Sequence, residues 1–450
     1  MDRRDFSRGL AALAFAGLSA CVHRRTGTPV AAAWPGALVP DPAGLLDLPE
    51  GFSYRVISKL DDVMDDGHVV GDRADGMGCF AVAPGLVALV RNHELSPGHR
   101  SKGPFRGRQV THSYDRDRDG HPLPGGTSTI IYDLRRQAVV RQYASLAGTI
   151  RNCAGGTTPW GSWLTCEEDV SRAGAALTQD HGWVFEVPVG AHGLVDPVPL
   201  RAMGRFNHEA AAVDPRTGIV YLTEDRDNGL LYRFLPNVKG KLAKGGRLQA
   251  LAAPGLNDMR NWTEAAFAAR RAVPVRWIDL NGVDSPDDDL RQRGHAAGAT
   301  LFARGEGIHF GAGEFFFTCT SGGAAKLGQV FRYRPSRFEG QAVEVNNPGM
   351  LENFLESADP NAFNFGDNLT VAPYGHLVVC EDQYTDVVDN HLRGVAPDGR
   401  PYALGRCRLQ TELAGACFSP DGSTLFVNLY SPARTLAISG PWPNAQPAAA

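Results

Sequence analysis

One pattern of polar and apolar positions returns along this chain. A short strand-like segment leads to a turn carrying Gly or Pro, then to a strongly apolar segment of about five residues, then to a polar end. The first copy spans 79–94, with its turn at Pro84-Gly85 and the end Asn92-His93-Glu94. The second, 151–169, carries Cys153 near its start, turns at Thr158-Pro159-Trp160-Gly161 and ends Glu167-Glu168-Asp169. The third begins His208-Glu209, turns at Asp214-Pro215-Arg216-Thr217-Gly218 and ends Thr223-Glu224-Asp225. A fourth begins Arg304-Gly305-Glu306, turns at Gly311-Ala312-Gly313 and ends Cys319-Thr320-Ser321. The fifth begins Asp367-Asn368-Leu369, turns at Pro373-Tyr374-Gly375 and ends Cys380-Glu381-Asp382. The sixth begins Cys417-Phe418, turns at Ser419-Pro420-Asp421-Gly422 and ends Val427-Asn428.

Six hairpins at intervals of very roughly 50 to 90 residues are the mark of radial repetition, since a ring of units leaves only short sheet edges exposed. The fold expected is all-β: a six-bladed β-propeller with helical and loop insertions between blades. A large β-sandwich is the alternative, but it gives no reason for hairpins to end in acids at matching places. The longest insertion, about 239–298, is expected to hold a helix over 261–271 with Trp262, Ala265, Ala266 and Ala269 on one side. The acidic run 284–289 reads as a solvated loop. Gly322-Gly323-Ala324-Ala325-Lys326 lacks the spacing of a phosphate loop.

Composition changes this picture little. The 52 Gly and 30 Pro among 450 residues favour turns over long helices, and a formal charge of −4 argues against a nucleic-acid-binding surface. The first residues change it more. Asp2-Arg3-Arg4-Asp5-Phe6 reads as a twin-arginine export signal, an apolar run follows, and Leu18-Ser19-Ala20-Cys21 resembles a lipobox. The expected organisation is a signal over 1–21, a flexible linker over 22–44, one propeller over 45–442 and a tail over 443–450. The product would be periplasmic or held to a membrane by lipid on Cys21; a soluble exported form is the alternative. Nothing in the sequence points to an obligate interface, so a monomer is expected. Seven cysteines remain after Cys21, so at least one is left unpaired within the chain.

In a propeller, matching ends of the inner strands converge on the axis. Glu94, Glu168, Glu209, Glu306 and Glu381 would meet there, with Cys153 among them. So many carboxylates repel one another unless cations neutralise them, so several metals are expected. Carboxylate oxygens beside sulfur suit a trivalent or mixed site. Each acid alone has a bland alternative as a surface carboxylate, and Cys153 could instead pair with Cys166 across its hairpin. Arg304, two residues before Glu306, suits a clamp on phosphate or a salt bridge to a neighbouring acid. His93 and His208 each precede a glutamate and could orient it, or could be strand-end packing. Asp115-Arg116-Asp117-Arg118-Asp119-Gly120 has part of a calcium-loop rhythm without its final acid and reads as a polar turn.

At these motifs the chain resembles the PhoX-type alkaline phosphatases. The most specific stretches are Arg151-Asn152-Cys153, Thr165-Cys166-Glu167-Glu168, Arg205-Phe206-Asn207-His208-Glu209, Thr223-Glu224-Asp225, Arg304-Gly305-Glu306 and Gly366-Asp367-Asn368-Leu369. The resemblance implies an exported propeller enzyme with an iron–calcium centre, Fe(3+) and Ca(2+), that hydrolyses small phosphate monoesters. It implies Cys153 as a thiolate ligand of iron, Glu168 and Glu209 as acid ligands, and Glu94, Glu306 and Glu381 as further ligands, some on calcium. Arg304 matches the family's phosphate-binding arginine. Gly366 stands where the family has proline. Two other functions stay open: a calcium-dependent propeller hydrolase such as a lactonase, and a non-enzymatic binding propeller stabilised by metal.

Overall fold

Each of the six hairpins forms the two strands at one edge of an antiparallel sheet, and there are six such sheets. In a computed structural model that describes residues 34–174, 176–263, 265–383 and 385–443, the edge strands run in chain order around an axis. They are Ala74–Ala83, Asn152–Thr157, His208–Val213, Gly305–Gly311, Gly366–Val371 and Leu413–Phe418, and they open blades 1 to 6. Each lies beside the next, and the last lies beside the first, so the ring is closed. The architecture is the six-bladed β-propeller. The twin-arginine motif, the apolar run, Cys21, most of the linker and nearly all of the tail lie outside the described residues. From Leu38 onward the chain is one compact unit. Among the described residues no helix is long and apolar enough to cross a membrane.

The apolar runs are continuous rather than alternating because a blade is covered on both faces. In Glu314–Cys319, Phe315 and Phe317 pack toward blade 3, among Tyr221 and Leu231, whereas Phe316 packs toward blade 5, among Leu377 and Val379. Leu86–His93 behaves alike: Val87 and Leu89 meet Phe426 of blade 6, while Ala88 and Val90 meet Trp163 of blade 2. Phe317 stacks on Phe331 at 5.1 Å, and truncating such a buried ring to Ala costs about 3–5 kcal/mol.

Two segments tie blades together. Ser53–Lys59 pairs with Arg434–Ser439 and so closes blade 6 with the opposite end of the propeller chain. The preceding Leu46–Pro49 adds to blade 5 beside Pro401–Cys407. The long insertion works similarly: Ala272–Pro274 pairs with blade 4, and Arg276–Asp279 returns to blade 3. Among the described residues of 261–271 the expected helix is not formed. Asn261, at φ +57°, uses its side chain on both the amide and the carbonyl of Phe267, which competes with helical bonding. Among the described residues the α-helix of this insertion is Leu290–Ala296, directly after the acidic loop.

Candidate metal centre

The ladder between the first two strands breaks at the same place in every blade. The register shifts fall between Ala74 and Met77, Asn152 and Gly155, His208 and Ala211, Gly305 and Ile308, Gly366 and Leu369, and Ala414 and Cys417. Such a bulge re-aims a side chain out of the ladder. The first residues of the six bulges are Asp75, Cys153, Glu209, Glu306, Asp367 and Gly415. Five of them carry metal-ligating groups. Blade 6 has Gly415 at φ +61°, where a Cβ would lie 2.4 Å from the Asp75 carbonyl oxygen, so this blade supplies no ligand from its bulge.

A second repeat sits just outside the bulges. The residue after the second strand donates its amide to the carbonyl of the residue before the first: Glu94 to Arg73, Glu168 to Arg151, Asp225 to Asn207, Thr320 to Arg304, Asp382 to Phe365 and Tyr430 to Glu412, at 2.9 to 3.3 Å. Four residues of the preceding position, Arg73, Arg151, Arg304 and Phe365, have φ between +44° and +54°. That backbone costs roughly 1 kcal/mol or more per residue and is the kind of strain found at functional sites.

These tiers surround a cavity of about 450 Å³. Eight acids line it, Asp75, Glu94, Glu168, Asp225, Glu306, Asp367, Asp382 and Glu412, against three arginines, Arg73, Arg151 and Arg304. Glu209 lies beneath, fully buried, and neither carboxylate oxygen has a hydrogen-bond partner. A buried carboxylate without partners is costly, and a cation is what offsets that cost. Burial, followed by the charge of neighbouring acids, pushes the carboxyls of Asp75, Glu209, Glu306 and Glu412 well above their usual range. The same holds for Glu168, with Arg151 opposing the shift. Burial and then Asp382 push Asp367 up to about 8. The Cys153 thiol is raised by burial and then by Asp75, whose Oδ2 it meets at 3.5 Å.

At this centre donor atoms converge in three triads, each within 4.8 Å: Glu94–Cys153–Glu168, Glu209–Glu306–Asp367 and Asp367–Asp382–Glu412. The first mixes thiolate sulfur with oxygen, a set that suits a transition metal; the other two are all oxygen and suit a hard cation. The residues present therefore fit bound metals.

Of the residues named from the sequence, Glu94, Cys153, Glu168, Glu209, Glu306 and Arg304 come together here. Glu381 does not. It accepts bonds from Arg393 Nε at 2.7 Å and from the amides of Asn364 and His391, and the acid that reaches the cavity is its neighbour Asp382. Adjacent strand residues point to opposite sides, and Glu381 occupies the place that Glu167 and Glu224 fill in blades 2 and 3. The histidines share that fate. His93 donates from Nδ1 to the Asp72 carbonyl and meets Ser128 Oγ, and burial with Arg91 brings its pKa down to about 3. His208 donates to the Gly204 carbonyl and packs on Phe206; burial lowers it to about 3. Neither orients a glutamate. Arginine and tyrosine do: Arg151 donates to Glu94 at 2.7 Å and to Glu168 at 2.5 Å, and the Tyr430 hydroxyl donates to Glu94. Arg304 grips Asp225 through Nε and Nη2 at 2.8 and 2.9 Å and reaches Glu306 Oε1 at 2.9 Å. Cys153 and Cys166 are both free thiols, because the bulge turns Cys153 to the axis while Cys166 packs between blades 2 and 3.

The family described as alkaline phosphatase PhoX matches residues 35–433. Among solved structures, PhoX of Pseudomonas fluorescens in complex with vanadate, a transition state analogue, is similar at a TM-score of 0.68 and 20% identity. That match covers 88% of this chain and 96% of the other. A gluconolactonase of Xanthomonas campestris matches at a TM-score of 0.43 and 12% identity, covering 90% of this chain and 98% of its own. No curated protein sequence matches.

Proposed function

The chain belongs to the alkaline phosphatase PhoX family, a metal-dependent phosphatase family, and on that premise we propose that it hydrolyses small phosphate monoesters at its axial cavity with iron and calcium bound. The observation that carries this reading is Glu209, a buried carboxylate with two unpartnered oxygens beneath eight further acids. Cys153 with Glu94 and Glu168 would hold iron, and the two all-oxygen triads would hold calcium. When bound, the metals supply positive charge against the phosphoryl oxygens and lower the pKa of water.

The chain's own residues do the rest. Arg304 lines the cavity with its guanidinium held in place by Asp225 and Glu306, a fixed cation that suits charge-assisted contact to phosphate. Arg151 orients Glu94 and Glu168 by donating to both, and its charge opposes the upward shift that burial and Asp225 impose on Glu168. Beyond the acids, neighbouring inner strands pack closely: a Cβ on Gly76 would lie 2.5 Å from Ala154 Cα, and one on Gly307 2.7 Å from the Leu369 amide nitrogen, and these strands line a second cavity of about 230 Å³.

The same proposal includes twin-arginine export, a lipid anchor on Cys21 and a monomer. Supporting it are the motifs of the first 21 residues and a propeller whose ring of blades is closed within one chain. The test of function is turnover of an aryl phosphate by metal-loaded protein, with inhibition by vanadate. Turnover of a lactone with none of the phosphate ester would contradict it.

A further inference from the structure

The three cavity arginines are not equivalent. All three occupy the same place in their blades, one residue before the inner strand, with φ of +53° (Arg73), +44° (Arg151) and +54° (Arg304). Arg151 and Arg304 each make close charged contacts with two acids. Arg73 does not: its nearest carboxylate, Glu94, is 3.9 Å away, and its close polar contact is the Tyr430 hydroxyl at 2.6 Å. It leans over the Tyr430 ring at 5.3 Å, with a third of its side chain exposed. Guanidinium has five donors, so most of Arg73's are unspent.

Its position is fixed by the fold. Arg73 belongs to blade 1 and Arg304 to blade 4 of a six-membered ring, so the two stand on opposite walls of one cavity. His99 lines the same cavity from the short 3₁₀ helix Pro97–Lys102. The Ser96 amide donates to His99 Nδ1 at 3.2 Å, which makes Nδ1 the acceptor and leaves the ring proton on Nε2. Nε2 has no partner among the described residues. The other basic residues of that helix are engaged: Arg100 with Asp117 at 2.7 Å and Lys102 with Asp72 at 3.0 Å. Burial, then Arg73 and Lys102, hold His99 below its ordinary pKa, which agrees with a neutral ring donating from Nε2.

We propose that Arg73 and His99 bind a second anionic group on the leaving part of the substrate, so that the preferred substrates are phosphate esters carrying another carboxylate or phosphate. This rests on the phosphatase reading, in which Arg304 takes the phosphoryl group that is transferred. The span from one wall to the other then selects compounds with two negative ends. A substrate with a neutral leaving group leaves the Arg73 donors to water.

The experiment uses two matched pairs of compounds. Propylphosphonate and 3-phosphonopropionate, which differ by one carboxylate, are titrated calorimetrically into metal-loaded protein. Glycerol phosphate and 3-phosphoglycerate are compared by kcat/KM. The parent is expected to prefer the carboxylate member of each pair by about tenfold, the usual worth of one charge-assisted contact. Arg73→Gln and His99→Ala should each lower that ratio several-fold, with metal content and circular dichroism followed in parallel. An absent preference in the parent, or a ratio unchanged in both variants, overturns the proposal. If the parent binds 3-phosphonopropionate preferentially but hydrolyses neither ester, the phosphatase reading fails while the second anion site stands.

Discussion

Replacing Asp367 by Asn should stabilise the metal-free protein at pH 8 and destabilise the metal-loaded one. Asp367 belongs to two of the three triads, and its carboxyl titrates near 8 in the fold, against an ordinary value of 3.8. Its folded pKa is the higher one, so the folded apoprotein binds more protons than the unfolded chain between about pH 4 and 8. Apoprotein stability must then fall as pH rises through that window. At about 1.4 kcal/mol per pH unit the whole window is worth at most about 6 kcal/mol. Asp382 and Glu412 can take up protons in its place, which brings the expected gain from Asp367→Asn to about 3 kcal/mol at pH 8. That is a large share of the 5–15 kcal/mol typical of a domain. At pH 4 or below Asp367 is protonated in the fold, and the substitution should be nearly neutral. The assay is chemical denaturation of chelated parent and variant at pH 4, 6 and 8, repeated with calcium. An apoprotein whose stability is flat or rises from pH 4 to 8, or a variant equally affected at all three values, would refute the electrostatic reasoning.

Cys153→Ser should keep the fold but lose a bound transition metal and any visible absorption, read by spectrophotometry and elemental analysis; retention of both would remove the sulfur from the site. Arg304→Ala should retain metal while kcat/KM for an aryl phosphate drops about 30- to 1,000-fold, equivalent to roughly 2–4 kcal/mol, whereas Glu306→Gln should lose metal first. A buried triad lies apart from the cavity: His181 sits 2.7 Å from Glu167 and 3.1 Å from Asp115, and although burial opposes the charged ring, these acids hold its pKa up to about 10. Its stabilisation is complete below its ordinary 6.5 and declines as pH rises to about 10, so the destabilisation caused by His181→Asn should shrink between pH 7 and 10 in denaturation experiments.

The hairpins were legible in the sequence because each blade is buried on both faces, which turns its second strand into an unbroken apolar run such as Phe315-Phe316-Phe317. Radial repetition followed from their number. The ring of ligands was legible only in part. A bulge inserts a residue without altering composition, so counting by twos cannot tell which of Ala74, Asp75 and Gly76 turns to the axis. That is why Asp75 and Asp367 were missed while Cys153, Glu209 and Glu306 were found. Strand parity misled at Glu381, where the motif Glu-Asp offers two acids and the pleat gives the axis to the second. Comparison with Glu168 and Asp225, each one residue beyond the second strand, would have corrected it. Arg73, Glu412 and Tyr430 carried no local signal, since their role comes from the bond between blade ends that Glu94 makes to Arg73 and Tyr430 to Glu412.

The central claim is that the axial acids exist to hold cations on which phosphate-ester hydrolysis depends. The most direct measurement is elemental analysis of protein produced from the full-length chain, with aryl phosphate turnover assayed before and after chelation. Iron together with calcium, at about one cation for each of the three triads, and turnover that disappears and returns with the metals, is the result expected. Protein that carries no cation yet hydrolyses the ester at an undiminished rate would contradict it.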